Sequence, residues 1–151
     1  MTKAIHPVAG AVALLTIMTF WLSTVLSELL SSAALVATVK SMIPWGFLIL
    51  IPALMAAGGS GFQLGKKFRS PLVAVKRKRM PFIVGNGILI LIPSALYLSS
   101  KAGAGSFDTG FYAVQAIELM AGAMNIVLLC LNMRDGLRLA GKRPAPHGTA
   151  D

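Results

Sequence analysis

Long apolar stretches alternate with short polar ones along this chain. A helix that crosses the hydrocarbon core of a membrane needs about 20 mainly apolar residues, and four stretches reach that length. They run from about Pro7 to Leu30, from Met42 to Phe62, from Pro81 to Ser100 and from Thr109 to Asn132. The pattern therefore predicts an all-α fold, an integral membrane four-helix bundle.

Each stretch opens with residues that favour a helix start. Pro7, Pro44 and Pro81 are predicted to lie in first turns, where the missing backbone N–H breaks no hydrogen bond. Ser106 or Asp108 can cap the fourth helix by accepting a hydrogen bond from one of its free N–H groups. The first stretch is longer than the apolar region of a signal peptide, which is about 7 to 15 residues, so we expect an uncleaved helix.

The segments between the stretches are short. Residues 31–40 are expected either to extend the first helix outward or to form a small interfacial helix. Residues 1–141 are therefore predicted to form one four-span transmembrane domain, with no room for a separate soluble domain. Residues 142–151, which contain Pro144 and Pro146, are expected to form a disordered cytoplasmic tail.

Composition and charge place the chain in a membrane and orient it there. Apolar residues make up 56% of the chain and charged residues 13%, and the mean hydropathy is +0.75, which excludes an ordinary soluble domain. Of the 14 Lys and Arg residues, all but Lys40 and Lys101 lie before the first stretch, between the second and third, or after the fourth. Basic residues near span ends stay on the cytoplasmic side, so both termini are predicted to be cytoplasmic.

The same basic residues indicate a partner. The loop between the second and third stretches is expected to bind the anionic head groups of the lipid bilayer. Nucleic acid is not expected, because no stacking aromatic residues accompany the charge. The single cysteine, Cys130, excludes a multi-thiolate metal site, and the common phosphate-binding, zinc and nucleophile motifs are absent from the sequence. We predict neither catalytic residues nor a metal site.

Polar residues in the fourth stretch recur on one face of a helix. Gln115, Glu118, Gly122, Asn125 and Asn132 fit an alternating spacing of three and four residues once Leu129 is included. Because a polar side chain in hydrocarbon is costly, this face is expected to lie inside the protein. It either packs against other helices through small residues and amides, or uses Glu118 to hold a proton or a cation.

Residues of other stretches fall at the same depths when antiparallel helices are counted at about 1.5 Å per residue. Ser23 and Thr24 of the first stretch and Ser94 of the third are predicted to lie near the depth of Glu118. Asn86 of the third is predicted to lie near Asn125. The sequence thus predicts a polar interior shared by the first, third and fourth spans.

His6 precedes Pro7 at the start of the first helix, a position from which a histidine can ligate a haem iron. A second axial ligand would come from Met80, from Met133, or from His6 of a second copy across a homodimer axis. Arg79 and Arg134 could pair with the haem propionates. The alternative is an interfacial histidine that helps to set the helix start.

Three segments carry a resemblance to known proteins. They are His6-Pro7-Val-Ala-Gly10, Arg79-Met80-Pro81 and Asn132-Met-Arg-Asp-Gly136. With them the chain resembles small, uncharacterised four-span bacterial inner-membrane proteins, which implies a multi-pass protein of a bacterial inner membrane. The histidine-proline start also resembles that of small membrane b-type cytochromes, although this sequence lacks their second intramembrane histidine.

These patterns leave three functional hypotheses. The first is a non-enzymatic accessory, interaction or assembly subunit whose polar interior specifies its packing, alone, in a homodimer or in a larger membrane complex. The second is a haem b electron carrier that uses His6. The third is a proton- or cation-coupled carrier centred on Glu118. Haem b is the cofactor of the second hypothesis alone.

Overall fold

The computed structural model of the chain describes residues 2–30, 32–67 and 71–141, and this part is helical apart from its short connections. Its elements are α1 (Thr2–Leu30), α2 (Ala33–Lys67), α3 (Pro71–Asn86), a π-helical turn (Gly87–Leu91), α4 (Ile92–Gly103) and α5 (Thr109–Gly141). α3, the π turn and α4 follow one another without a break, so they form the third of four long rods. The tail at residues 142–151 lies outside the described residues.

All four rods are long and apolar enough to cross a membrane. The candidate spans are Ile5–Leu29, Ala33–Gln63, Ala74–Gly103 and Thr109–Arg138. Leu48, Leu89 and Met120 lie on the outer surface, where they are 72%, 76% and 74% exposed. An apolar surface of this kind suits lipid rather than water. The prediction of an all-helical fold with four helices long and apolar enough to span a membrane is confirmed, and these helices indicate a multi-pass membrane protein.

The predicted starts of the first three helices are wrong. Pro7, Pro44 and Pro81 all lie inside helices. α2 already begins at Ala33, so residues 33–40 belong to α2 and do not extend α1. An internal proline leaves the carbonyl four residues earlier without its usual helical donor. Inside a membrane bundle, neighbouring groups and local adjustments compensate for this loss, so a proline there does not mark a helix start.

The basic segment between the second and third spans is largely helical, although its charge predicts a loop. α2 runs to Lys67 and α3 begins at Pro71, so Lys76 and Arg79 lie on the first part of α3. Lys and Arg are good helix formers, and a helix can therefore continue beyond the apolar stretch that crosses the membrane. Arg69 of this segment lies outside the described residues.

The helices pack around one apolar core. α1 lies against α2 and α5, while α5 also contacts α3 and α4. The core includes Ala13 of α1, Leu50 of α2, Ile83 of α3 and Leu129 of α5. α1 and α2 approach closely at Gly46, because a Cβ atom there would overlap the Phe20 ring.

The two ends of the bundle differ in character. One end, which we call the loop end, holds the α1–α2 and α4–α5 connections and a small apolar cluster of Val36, Leu98, Ala102 and Phe111. The opposite end, which we call the terminal end, holds the start of α1 and the end of α5. Its polar side chains include His6, Ser60, Lys76 and Asp135.

The third rod adjusts its backbone next to Pro93. Without an N–H, Pro93 cannot donate to the carbonyl of Leu89. The chain widens there into the π turn, in which the N–H of Ile92 donates to the carbonyl of Gly87 five residues earlier. The rod therefore continues across the proline as α4.

At the loop end, α5 is capped by Asp108. The backbone N–H of Phe111 donates to Asp108 Oδ1 over 2.9 Å, so of the two predicted caps the structure selects Asp108. Lys101 also donates to this carboxylate. The hydrogen bond from Lys101, followed by the one from Phe111, holds the pKa of Asp108 below its usual value. The turn before it contains Gly105 at a φ of +67°, a conformation that favours glycine.

Candidate functional site

An ion pair between α2 and α5 lies inside the bundle. Lys40 Nζ is 2.5 Å from Glu118 Oε2, and the side chains of Lys40 and Glu118 are 0% and 12% exposed. Lys40 Nζ also lies 3.4 Å from the hydroxyl oxygen of Thr24 on α1, which can accept a second hydrogen bond. The pair thus joins three of the four rods at one level.

The two charges depend on each other in this position. An isolated ammonium or carboxylate loses the stabilisation of water when it is buried, and that loss amounts to several kcal/mol even after the protein relaxes. A partner in direct contact recovers much of this free energy, because attraction between opposite charges is stronger where the effective dielectric constant is low. We conclude that each of these two buried charges is stabilised by the other.

A half-open cavity of about 50 Å³ borders the ion pair. Glu118 and Thr24 are among its lining residues, and most of the others are apolar, such as Phe20 and Phe47. The Trp21 Nε1–H donates to the carbonyl of Leu119 over 2.9 Å, which ties α1 to α5 beside Glu118.

Gly122 allows that close approach of α1 to α5. A Cβ atom on this residue would lie 3.1 Å from the indole ring of Trp21. A small residue at the crossing of two membrane helices is a common way to bring their backbones together.

Not all of the residues predicted to lie around Glu118 contact the ion pair. Gln115 and Ser94 are buried in the bundle. Ser23 donates to the carbonyl of Phe20 in its own helix over 3.0 Å. The hydroxyl that reaches the ion pair belongs to Thr24, which the depth count also places at this level. The predicted interior of the first, third and fourth spans therefore also includes the second, through Lys40.

Asn86 and Asn125 come together as the depth count predicts. Asn86 Nδ2 donates to Asn125 Oδ1 over 2.9 Å and to the carbonyl of Ala121 over 2.8 Å. Asn125 Nδ2 in turn lies 3.3 Å from the carbonyl of Ile83. Each amide thus bonds both to the other amide and to the opposite backbone, which holds α3 against α5 near the middle of the rods.

At the terminal end, His6 contacts both α2 and α3. Its Nδ1 lies 2.9 Å from the carbonyl of Ala57, and its Nε2 lies 2.8 Å from Lys76 Nζ. A carbonyl can only accept and an ammonium can only donate. We therefore assign the proton of a neutral imidazole to Nδ1 and the lone pair that faces Lys76 to Nε2.

A second charged group at this end is centred on Asp135. Its carboxylate is almost completely buried and accepts from Arg79 Nη1 over 2.7 Å. Arg134 Nη2 lies 3.4 Å from the other carboxylate oxygen. The two arginines that were predicted to meet haem propionates thus share a carboxylate of the chain itself.

The residues proposed for haem b do not fit that group. Both ring nitrogens of His6 face partners within the chain. The sulfur of Met80 lies 3.5 Å from Asn132 Nδ2 and can accept its hydrogen bond, and Met133 is 45% exposed. Arg79 is bound to Asp135. In the part of the chain that the structure describes, no three His, Cys, Asp or Glu side chains are grouped to hold a metal ion.

Sequence analysis did not predict that Lys40 lies inside the bundle, although the residues around it show a helical pattern. Val36, Lys40, Ile43, Phe47 and Leu50 follow one another at intervals of three or four residues, which is the spacing of one helix face. The assumption that Pro44 begins the helix cut this face in two. The sequence shows no comparable pattern for the pairing of Arg79 with Asp135 or for the contact of Lys76 with His6. Both contacts depend on how separate helices pack.

The chain was compared with protein families, curated proteins and solved structures. No protein-family model, curated protein or solved structure matches the chain.

Separate replacements of the paired residues are predicted to cost more than their joint replacement. Lys40→Met or Glu118→Leu leaves one buried charge without a partner, so each should lower the free energy of unfolding by about 3–5 kcal/mol. The double variant removes both charges and should be much closer to the parent. Unfolding in mixed micelles, followed by the loss of helical circular dichroism, measures the four proteins of this cycle.

Lys101→Met is the matched control, because it breaks an ion pair of the same type at the surface. Water solvates the remaining Asp108, so little change in stability is expected. If Lys40→Met and Glu118→Leu were as mild as this control, the interior ion pair would not be a stabilising contact.

Proposed function

We propose that this chain is a non-enzymatic accessory or assembly subunit of a bacterial inner membrane. The observation that carries the proposal is the internal pairing of its charges: Lys40 with Glu118, and Arg79 with Asp135. Charges that neutralise each other inside the chain fix the arrangement of its helices. The large outer apolar surface is then available for lipid and for other membrane proteins.

The proposed orientation has both termini in the cytoplasm. It is supported by the basic residues of the terminal end, since Lys78, Arg134 and Arg138 are exposed there and basic residues stay on the cytoplasmic side. Burial of Lys40 in an ion pair strengthens this asymmetry, because Lys40 is one of the two basic residues that the opposite side would otherwise hold. Anionic lipid head groups are the proposed partners of the basic end.

Thiol labelling tests this orientation in a Cys130→Ser background, which removes the single native cysteine. In intact spheroplasts, a membrane-impermeant maleimide is expected to label an Ala104→Cys variant at the loop end. A Lys78→Cys variant at the terminal end should react only after permeabilisation. Reaction of Lys78→Cys in intact spheroplasts, with Ala104→Cys protected, would contradict the proposed orientation.

Site-specific photocrosslinking in the native host tests the accessory role. A photoreactive amino acid is placed at Leu15, Leu48, Leu89 or Met120, one outward position on each rod, with the buried Leu98 as the control. We expect a discrete adduct with one membrane protein, or with a second copy of the chain, from at least one outward position and none from Leu98. Deletion of the chain should also lower the amount of the assembled partner.

The accessory role predicts that such adducts form within the intact membrane. If all four outward positions gave only the unreacted chain, and the purified protein were a monodisperse monomer, the chain would not be a subunit.

A further inference from the structure

The Glu118 carboxylate uses only one of its two oxygens in the ion pair. Oε2 accepts from Lys40, whereas Oε1 accepts no hydrogen bond from any residue that the structure describes. A charged carboxylate oxygen gains free energy from a hydrogen-bond donor that reaches it. Because Glu118 lines the cavity next to the pair, that donor can be a molecule in the cavity.

Thr24, which carries a hydroxyl group, also lines this cavity. Its hydroxyl oxygen lies within reach of Lys40 Nζ. Accepting from Lys40 leaves the hydroxyl hydrogen of Thr24 able to donate, and among the described residues it has no acceptor. The cavity therefore offers an acceptor on Glu118 and a donor on Thr24.

The volume of the cavity limits what it can hold. A water molecule needs a cavity of about 10–15 Å³, and this cavity measures about 50 Å³. It can hold roughly three or four water molecules, which also bond to one another. A substrate the size of a metabolite is too large.

Charge decides between the small candidates. Lys40 already neutralises Glu118, so a bound monovalent cation would add an uncompensated charge inside the apolar bundle. An anion would meet the carboxylate of Glu118 in the cavity wall, whereas the ammonium of Lys40 is completely buried. A neutral hydrogen-bond donor avoids both costs, and water is the neutral donor that fits.

We propose that the cavity formed by α1, α2, the third rod and α5 is a hydration site, in which a small water cluster donates to Glu118 Oε1 and accepts from Thr24. Water in contact with the ion pair lowers the cost of burying it and allows its protons to exchange with solvent while the bundle stays folded. This site goes beyond the accessory role and does not rest on it, because it depends only on the contacts around Glu118.

The composition of the chain makes this site unusually accessible to solid-state NMR. Glu28 and Glu118 are its only glutamates, so labelling with [13C]glutamate gives two side-chain carboxyl signals, and a Glu118→Gln variant assigns them. In the full-length protein in lipid bilayers, transfer of magnetisation from water protons to these carbons reports which carboxyl contacts water. We expect clear transfer to Glu118. Absence of transfer to Glu118 would overturn the proposal.

A cavity-filling substitution distinguishes the cavity from other sources of water. Ala95 lines the cavity, and an Ala95→Leu variant should slow the transfer to Glu118 by roughly threefold or more, because its larger side chain displaces the water. Ala102→Leu is the matched control: Ala102 is equally buried on α4 but belongs to the loop-end cluster. It should leave the Glu118 transfer unchanged, and the Glu28 signal serves as an internal reference.

Thr24→Val is a second variant in case Ala95→Leu disturbs folding, because valine keeps the shape of the threonine side chain. Loss of the hydroxyl removes one of the two polar contacts of the cluster, so the transfer to Glu118 should again decrease while that to Glu28 does not. Equal transfer rates in the parent, a folded cavity-filling variant and Thr24→Val would show that water reaches Glu118 by another path, and would overturn the proposed site.

Discussion

The arrangement of this bundle depends on the cost of burying a charge or a polar group among apolar helices. The ion pair of Lys40 and Glu118 is the clearest consequence, because each of these buried charges is stabilised by the other. To make the contact, α2 must continue past Pro44 towards the loop end and must present Lys40 to α5. The position and the rotation of α2 relative to α5 are thereby defined, which apolar packing alone would specify less sharply.

α5 carries a polar or charged residue with a partner on another helix at each of three levels of the bundle. It presents Glu118 to α2, Asn125 to Asn86 on the third rod, and Asp135 to Arg79 at the terminal end. α1 is held by a different contact, the hydrogen bond from the Trp21 indole to the α5 backbone. α5 thus binds each of the other rods through a polar contact. The paired charges inside the bundle and its apolar exterior both follow from this arrangement.

The sequence predicts the parts of this account that depend on local pattern. Four apolar stretches predicted the four rods, and a three-four spacing in the last of them singled out Glu118 and Asn125. The count of residues along antiparallel helices also predicted that Asn86 lies near Asn125, since both lie well inside their stretches. Lys40 was missed because Pro44 was taken as a helix start, an assumption that holds in water but not in a membrane bundle. Which basic residue meets Asp135 could not be predicted, because it depends on how two separate rods pack.

The contact between Lys40 and Glu118 can be measured directly as a dipolar coupling between 15N in the lysine ammonium and 13C in the glutamate carboxyl, with the full-length protein in lipid bilayers. Our account predicts strong dephasing of the Glu118 carboxyl signal by lysine nitrogen, and its loss in Lys40→Met. A Glu118 signal that is not dephased in the unmodified protein would show that the two charges are apart, and would contradict the arrangement of α2 and α5 described above.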